Sequence, residues 1–272
     1  MRTWLSKFAL MATFGLAMSF PFSCSLLDDK GDDSSSSGGG GTPTNSSPGG
    51  NPGGGGSSSS DGQYQSGYNP YIAKWMTTNL SYDTPDVPEG SKCYSNSITN
   101  CTKYGKLYNW AAAMDLPQKC NSVFSTSDSD CRINTPHKGI CPTGKHIPTK
   151  NEWDRLITEA GGEPGAGNRL KSHDWTTGND DSNPPKCKGS DNYGFAAMPG
   201  GYGYPEGNNI KFAGLSNMYC NTGDYVARWW SASEGGNASY AHDRLISRLN
   251  SNLVTSTEAD KSYFLSVRCL DD

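Results

Sequence analysis

Residues 148–162 read PTKNEWDRLITEAGG. Thr149 followed three residues later by Glu152 is a capping box, in which each side chain answers the other's orphan backbone N–H. Trp153, Leu156, Ile157 and Ala160 then recur on one helical face, and Gly161-Gly162 supplies the stop. A helix with one apolar face needs a partner to cover it. Downstream, "ARWWSASE" (227–234), "SYAHDRLI" (239–246), "SNLVTS" (251–256) and "YFLSVRCL" (263–270) are short segments bounded by Gly, Asn, Ser or Asp. No βαβ alternation argues for a parallel sheet. The pattern predicts an α+β domain, with two helices on a twisted antiparallel sheet and long loops. The second helix is expected in "YGKLYNWAAAM" (104–114), where Leu107, Trp110, Ala111 and Met114 form an apolar stripe. In the last strand Phe264, Ser266, Arg268 and Leu270 face one way and Leu265, Val267 and Cys269 the other, which points Cys269 into the core.

Upstream of this domain the composition changes. The chain has 272 residues, only 33% of them hydrophobic, with 33 Gly and 16 Pro, too polar and turn-rich to be folded throughout. Residues 24–62 are dominated by Asp, Ser, Gly, Pro and Asn and read as a disordered tether of about 30 to 36 Å root-mean-square span. Its Asp28, Asp29, Asp32 and Asp33 read as a solvated run. Residues 63–272 read as one domain, large enough for its own core. A net charge of −4, with scattered Lys and Arg, gives no footprint for nucleic acid.

Arg2 and Lys7 precede an apolar stretch from Phe8 to Phe20, too short to cross a bilayer, so residues 1–23 read as an export signal. Ser23 before Cys24 resembles the lipobox of bacterial lipoproteins, with Pro21 where a Leu is usual. The resemblance implies an acylated Cys24 as mature N-terminus, and Ser25 after it implies the outer membrane. The alternative is cleavage after Ala17-Met18-Ser19, with Cys24 left as a thiol. Of nine cysteines, removing Cys24 leaves eight: Cys93, Cys101, Cys120, Cys131, Cys141, Cys187, Cys220 and Cys269. An even count in an exported chain suggests a disulfide framework. No zinc site is expected, because neither the cysteines nor His137, His146, His173 and His242 stand at ligand spacing.

Seven segments in order, "WMTTNL" (75–80), "CYSNSITNCTKYGKLYNWAAAMD" (93–115), "CPTGKHIPTKNEWDRL" (141–156), "LKSHDW" (170–175), "DNYGFAAMPGGY" (191–202), "RWWSASE" (228–234) and "FLSVRCL" (264–270), resemble the Fibrobacter succinogenes major paralogous domain. The resemblance implies an exported protein, often a lipoprotein, and a C-type-lectin-like fold. Against that pattern, residues 116–140 are longer than usual and 180–190 carry an extra cysteine. Insertions bringing their own cysteines suggest local staples, Cys93 with Cys101, Cys120 with Cys131 and Cys187 with Cys220, leaving Cys141 with Cys269, one of 105 possible connectivities.

The lectin-like resemblance raises calcium-dependent sugar binding, which needs clustered hard oxygens. The nearest segments hold Glu163, Pro164 and Asn168, and Asn179, Asp180 and Asp181; neither is the lectin motif. Asp128 and Asp130 read as an exposed loop. Sugar stacking is the stronger expectation: Trp229 and Trp230 must point to opposite faces of a strand, exposing one, while Tyr202, Tyr204, Tyr219 and Tyr225 sit on Gly- and Asn-rich segments suited to recognition. No nucleophile elbow, H-E-x-x-H helix or P-loop occurs, and His146 and His173, the latter beside Asp174, read as structural histidines. Expected, then, is a lipid-anchored, non-catalytic envelope protein without a cofactor, binding polysaccharide or another surface component. The alternatives are a structural or protein-interaction role and an exported enzyme resembling the formylglycine-generating superfold.

Overall fold

The capping box forms as read. The Thr149 hydroxyl accepts from Glu152 N, Glu152 Oε2 accepts from Thr149 N at 2.8 Å, and the helix runs Lys150–Glu159. It ends in a Schellman turn: Gly162 N donates to Ile157 O and Gly161 N to Thr158 O. Both glycines sit at positive φ, 93° and 69°. The computed structural model describes residues 67–82, 90–173, 175, 189–216, 224–247 and 254–272, all within the unit Ser60–Asp272.

Four α-helices and ten strands are described. They are β1 (Ser91–Lys92), α1 (Ile98–Tyr104), β2 (Leu107–Tyr108), α2 (Trp110–Ala113), β3 (Lys145–His146), α3 (Lys150–Glu159), α4 (Ala166–Leu170), β4 (Tyr202–Glu206), β5 (Asn209–Ala213), β6 (Leu215–Ser216), β7 (Asp224–Glu234), β8 (Tyr240–Ser247), β9 (Thr255–Asp260) and β10 (Leu270–Asp271). The main sheet is antiparallel in the order β6-β7-β8-β9, and β1-β2, β10-β3 and β4-β5 are two-stranded antiparallel pairs. This is an α+β architecture.

The helix expected over 104–114 is a correction. Gly105, at φ 79°, ends α1, and a Cβ there would lie 2.8 Å from Asn79 Cβ and 2.9 Å from Leu80 O. Leu107 and Tyr108 then pair with β1, and Asn109 caps the single turn α2 by accepting from Ala112 N at 2.9 Å. Leu107, Tyr108 and Trp110 through Met114 are all buried. That uniform burial suits a segment passing through the core better than a helix with one wet face.

The 264–270 segment pairs mostly through isolated bridges, to Gly203, Tyr108, Trp229 and Trp75. Its alternation is as read: Leu265, Val267 and Cys269 enter one core, with Tyr108, Trp110 and Trp230, whereas Leu270 enters another, with Trp75, Trp153 and Trp229. Arg268 is also fully buried. Its guanidinium donates to Phe195 O, to Ala196 O at 3.2 Å and to Asn79 Oδ1 at 3.0 Å, and lies 4.4 Å from the Phe195 ring centroid. Burial pulls its pKa down to about 9.

Disulfides join Cys93 to Cys101, Cys120 to Cys131 and Cys141 to Cys269. Cys187 and Cys220 lie outside the described residues, as do Cys24 and the tether. The 116–140 segment is held by more than its staple. Fully buried Lys261 donates to Val123 O at 3.1 Å and Glu234 Oε1 at 2.7 Å, with its ammonium 4.2 Å from the Trp110 ring centroid. Glu234 in turn accepts from Ser125 N at 3.0 Å and from Ser125 Oγ at 2.7 Å.

His137 closes this segment. Its Nε2–H donates to Met114 O at 2.9 Å and its Nδ1 accepts from Asn134 N at 3.2 Å, an arrangement only the neutral ring satisfies. Burial accordingly pushes its pKa below the usual 6.5. The unfolded chain therefore takes up this proton first, so the contribution is complete above about pH 6.5 and is lost as the pH falls toward the depressed folded value. Urea midpoints of the full chain should fall from about pH 7.5 to about pH 5.5, and less steeply in His137→Gln. An identical slope in the variant would assign the effect to other groups.

Candidate functional site

Neither tryptophan of "RWWSASE" is available to a ligand, a correction to the expected exposure of one. They do point to opposite faces, but both faces are covered, and Trp229 and Trp230 are each 0% exposed. Trp229 packs against Trp153 at 5.7 Å between centroids, with its Nε1 donating to Asn79 Oδ1 at 2.8 Å. Trp230 lies in the other core, its Nε1 donating to Tyr108 O at 2.7 Å. Their indole N–H groups are thus spent internally.

Aromatic surface remains on the β4–β5 hairpin. Tyr202 and Tyr204 are two apart on β4 and so share a face, while Gly203 between them turns toward Ile210, Phe212 and Phe264. Tyr263, in the turn after β9, completes a triangle. Ring centroids are 6.1 Å apart for Tyr202–Tyr204, 6.5 Å for Tyr202–Tyr263 and 5.9 Å for Tyr204–Tyr263, with interplanar angles of 33°, 14° and 41°. All three are half-buried. Tyr202 and Tyr263 rest on the core beneath. The Arg228 guanidinium lies 5.2 Å from the Tyr202 centroid and is held by Asp243, with Nε to Oδ2 at 2.8 Å. Asp243 also accepts from Thr257 Oγ1 at 2.6 Å. Partly supported rings lose little freedom on meeting a ligand, which suits them to recognition.

Tyr263 was not among the residues expected from sequence. Its signal was its place at the head of a core strand, where an aromatic residue ordinarily reads as packing. Tyr219 lies outside the described residues, as do Asn179, Asp180, Asp181 and Asp174. Glu163 Oε1 accepts from Val254 N at 2.6 Å, and Asn168 Nδ2 reaches Ser190 Oγ at 3.4 Å, so these two are engaged in holding loops. Asp128 and Asp130 pair with Lys119 at 2.8 and 2.7 Å, and this ammonium holds the Asp128 carboxyl below the usual range. Among the described residues, no three His, Cys, Asp or Glu side chains cluster to hold a metal ion.

His146 is 4% exposed, with Nδ1 2.8 Å from Asp272 Oδ1 and Nε2 3.0 Å from Glu152 Oε1. Both ring nitrogens are engaged, a structural tie between Asp272, just after β10, and α3. It borders a cleft of about 410 Å³ lined also by Tyr71, Lys74, Arg155, Glu159, Asp271 and Asp272. Tyr71 donates its hydroxyl to Glu152 O at 3.1 Å, and burial, with Glu152 nearby, pushes its pKa up to about 12. His173 is exposed, 3.4 Å from Ser190 O.

These features define a class: a disulfide-stapled α+β domain with a solvent-facing tyrosine cluster over a double tryptophan core. The chain belongs to the Fibrobacter succinogenes major domain family, whose model matches residues 73–270. The matched region includes Tyr202, Tyr204, Tyr263 and His146, whereas Pro70, Tyr71, Asp271 and Asp272 of the cleft lie just outside it. No curated protein and no solved structure matches the chain.

Proposed function

We propose that the protein is a non-catalytic binding module of the bacterial envelope. In this reading Cys24 carries a lipid anchor in the outer membrane, residues 24–62 form its tether, and the domain is C-type-lectin-like. Polysaccharide is the ligand, met by Tyr202, Tyr204 and Tyr263 without a metal or cofactor. The observation carrying the reading is the triangle of half-exposed rings with sides of 5.9 to 6.5 Å. An aromatic face bears partial negative charge, so it attracts the polarised C–H face of a pyranose, while hydroxyls at the rim stay hydrated.

The test has two arms. In cells, Cys24→Ser should lose both palmitate label and membrane association; retained label would exclude this anchor. On a polysaccharide array, Tyr204→Ala should reduce binding about ten-fold, roughly 1.4 kcal/mol, with unfolding unchanged to within about 0.5 kcal/mol. No array signal from the parent chain, or a signal indifferent to Tyr202→Ala, Tyr204→Ala and Tyr263→Ala, would overturn the platform.

A further inference from the structure

The cleft beside His146 joins the 70–74 turn, α3 and the C-terminal strand, remote in sequence from the tyrosine hairpin. Its volume of about 410 Å³ falls within the roughly 300–1,000 Å³ of small-molecule sites. Six of its ten lining residues carry a formal charge: Lys74, Glu152, Arg155, Glu159, Asp271 and Asp272. An uncharged occupant would strip water from those charges without replacing it, which costs binding energy.

The internal pairing shows which charges remain for a ligand. Glu152 spends Oε1 on His146 and Oε2 on Thr149. Glu159 spends Oε1 on Arg155 and Oε2 on Asn69. Asp271 and Asp272 commit only Oδ1, to Lys145 and His146, which leaves Oδ2 of each as an acceptor among the described residues. On the other elements, Arg155 commits only Nε, to Glu159, with its guanidinium 4.0 Å over the Tyr71 ring. The Lys74 ammonium makes no ion pair among the described residues, and it shares this cleft with Arg155. Uncommitted carboxylate oxygens thus stand on the C-terminal strand, and uncommitted cationic groups on the 70–74 turn and α3. A simple amine would answer only the first set and a simple carboxylate only the second.

We propose that this cleft binds a small zwitterion, its ammonium held by Asp271 and Asp272 and its carboxylate by Arg155 and Lys74. Buried His146 sets Asp272 in place from behind, so the acceptors are oriented before the ligand arrives. The site stands independently of the tyrosine platform.

The experiment is an amide NMR titration of the full chain with L-alanine, beside propylamine and propionate as its single-charge halves. L-Alanine should shift the Lys74, Arg155 and Asp272 amides saturably and bind at least about ten-fold tighter than either half. Arg155→Gln and Asp272→Asn should each weaken it about ten-fold. Both side chains are largely solvent-exposed, 61% and 52%, so both variants should fold, and the unaffected amides report whether they do. Equal binding of one half, shifts confined to other residues, or indifference to both substitutions would overturn the proposal.

Discussion

Replacing Cys141 and Cys269 together with alanine should lower the unfolding free energy by about 5 kcal/mol. The bridge joins residues 128 apart in sequence, so its removal frees most of the domain when unfolded, and chain entropy grows with the logarithm of loop length. The staples Cys93–Cys101 and Cys120–Cys131 span 8 and 11 residues and should each contribute about 2.5 kcal/mol on the same account. Location adds to the difference. Cys141 and Cys269 are 1% and 0% exposed, within the core that holds Trp230 and Leu265, so two alanines also leave space there. Urea unfolding of the three double variants checks the order. A long-bridge variant no less stable than the two short-loop variants would mean that packing, rather than the constraint, holds the domain.

Trp229→Ala and Trp230→Ala should each cost about 3–5 kcal/mol, as large-to-small changes at fully packed sites do. The two losses should be separable by probe. Trp229→Ala opens the core under α3, where Trp153, Phe195 and Trp75 pack, and orphans Asn79 Oδ1 from one donor. Trp230→Ala opens the core around Tyr108, Trp110 and Met114. Hydrogen exchange should therefore quicken first in α3 for Trp229→Ala and first around α2 for Trp230→Ala. If either variant loses under about 1 kcal/mol, that indole is not the packed element described here. Lost ligand binding in these variants would report unfolding, which is why Tyr204→Ala is the informative substitution for recognition.

Local rules carried the reading wherever the determining atoms lie close in sequence. The capping box at Thr149 and Glu152, the Gly161-Gly162 stop and the alternation from Phe264 to Leu270 depend on neighbours within a turn or a pleat, and each is present. The 104–114 helix failed because period counting registers which residues are apolar and not that Gly105 is pressed against Asn79 and Leu80 from another part of the chain. The tyrosine platform was half legible: Tyr202 and Tyr204 stood out on a Gly-rich segment, whereas Tyr263 joins them only through folding. Of the cleft, His146, Glu152 and Leu270 were noticed, each for a structural reason, and its lining comes from residues 70 to 272.

For this protein, then, the amino-acid order alone determined the class of domain and the alternation that sends Trp229 and Trp230 to opposite sides of β7. Whether either side meets water was decided by the tertiary structure, since an alternating strand reads the same whether one face or both are covered. Here the 264–270 segment, α2 and α3 cover both, and that layering buries the tryptophans and leaves the tyrosines of the β4–β5 hairpin at the surface.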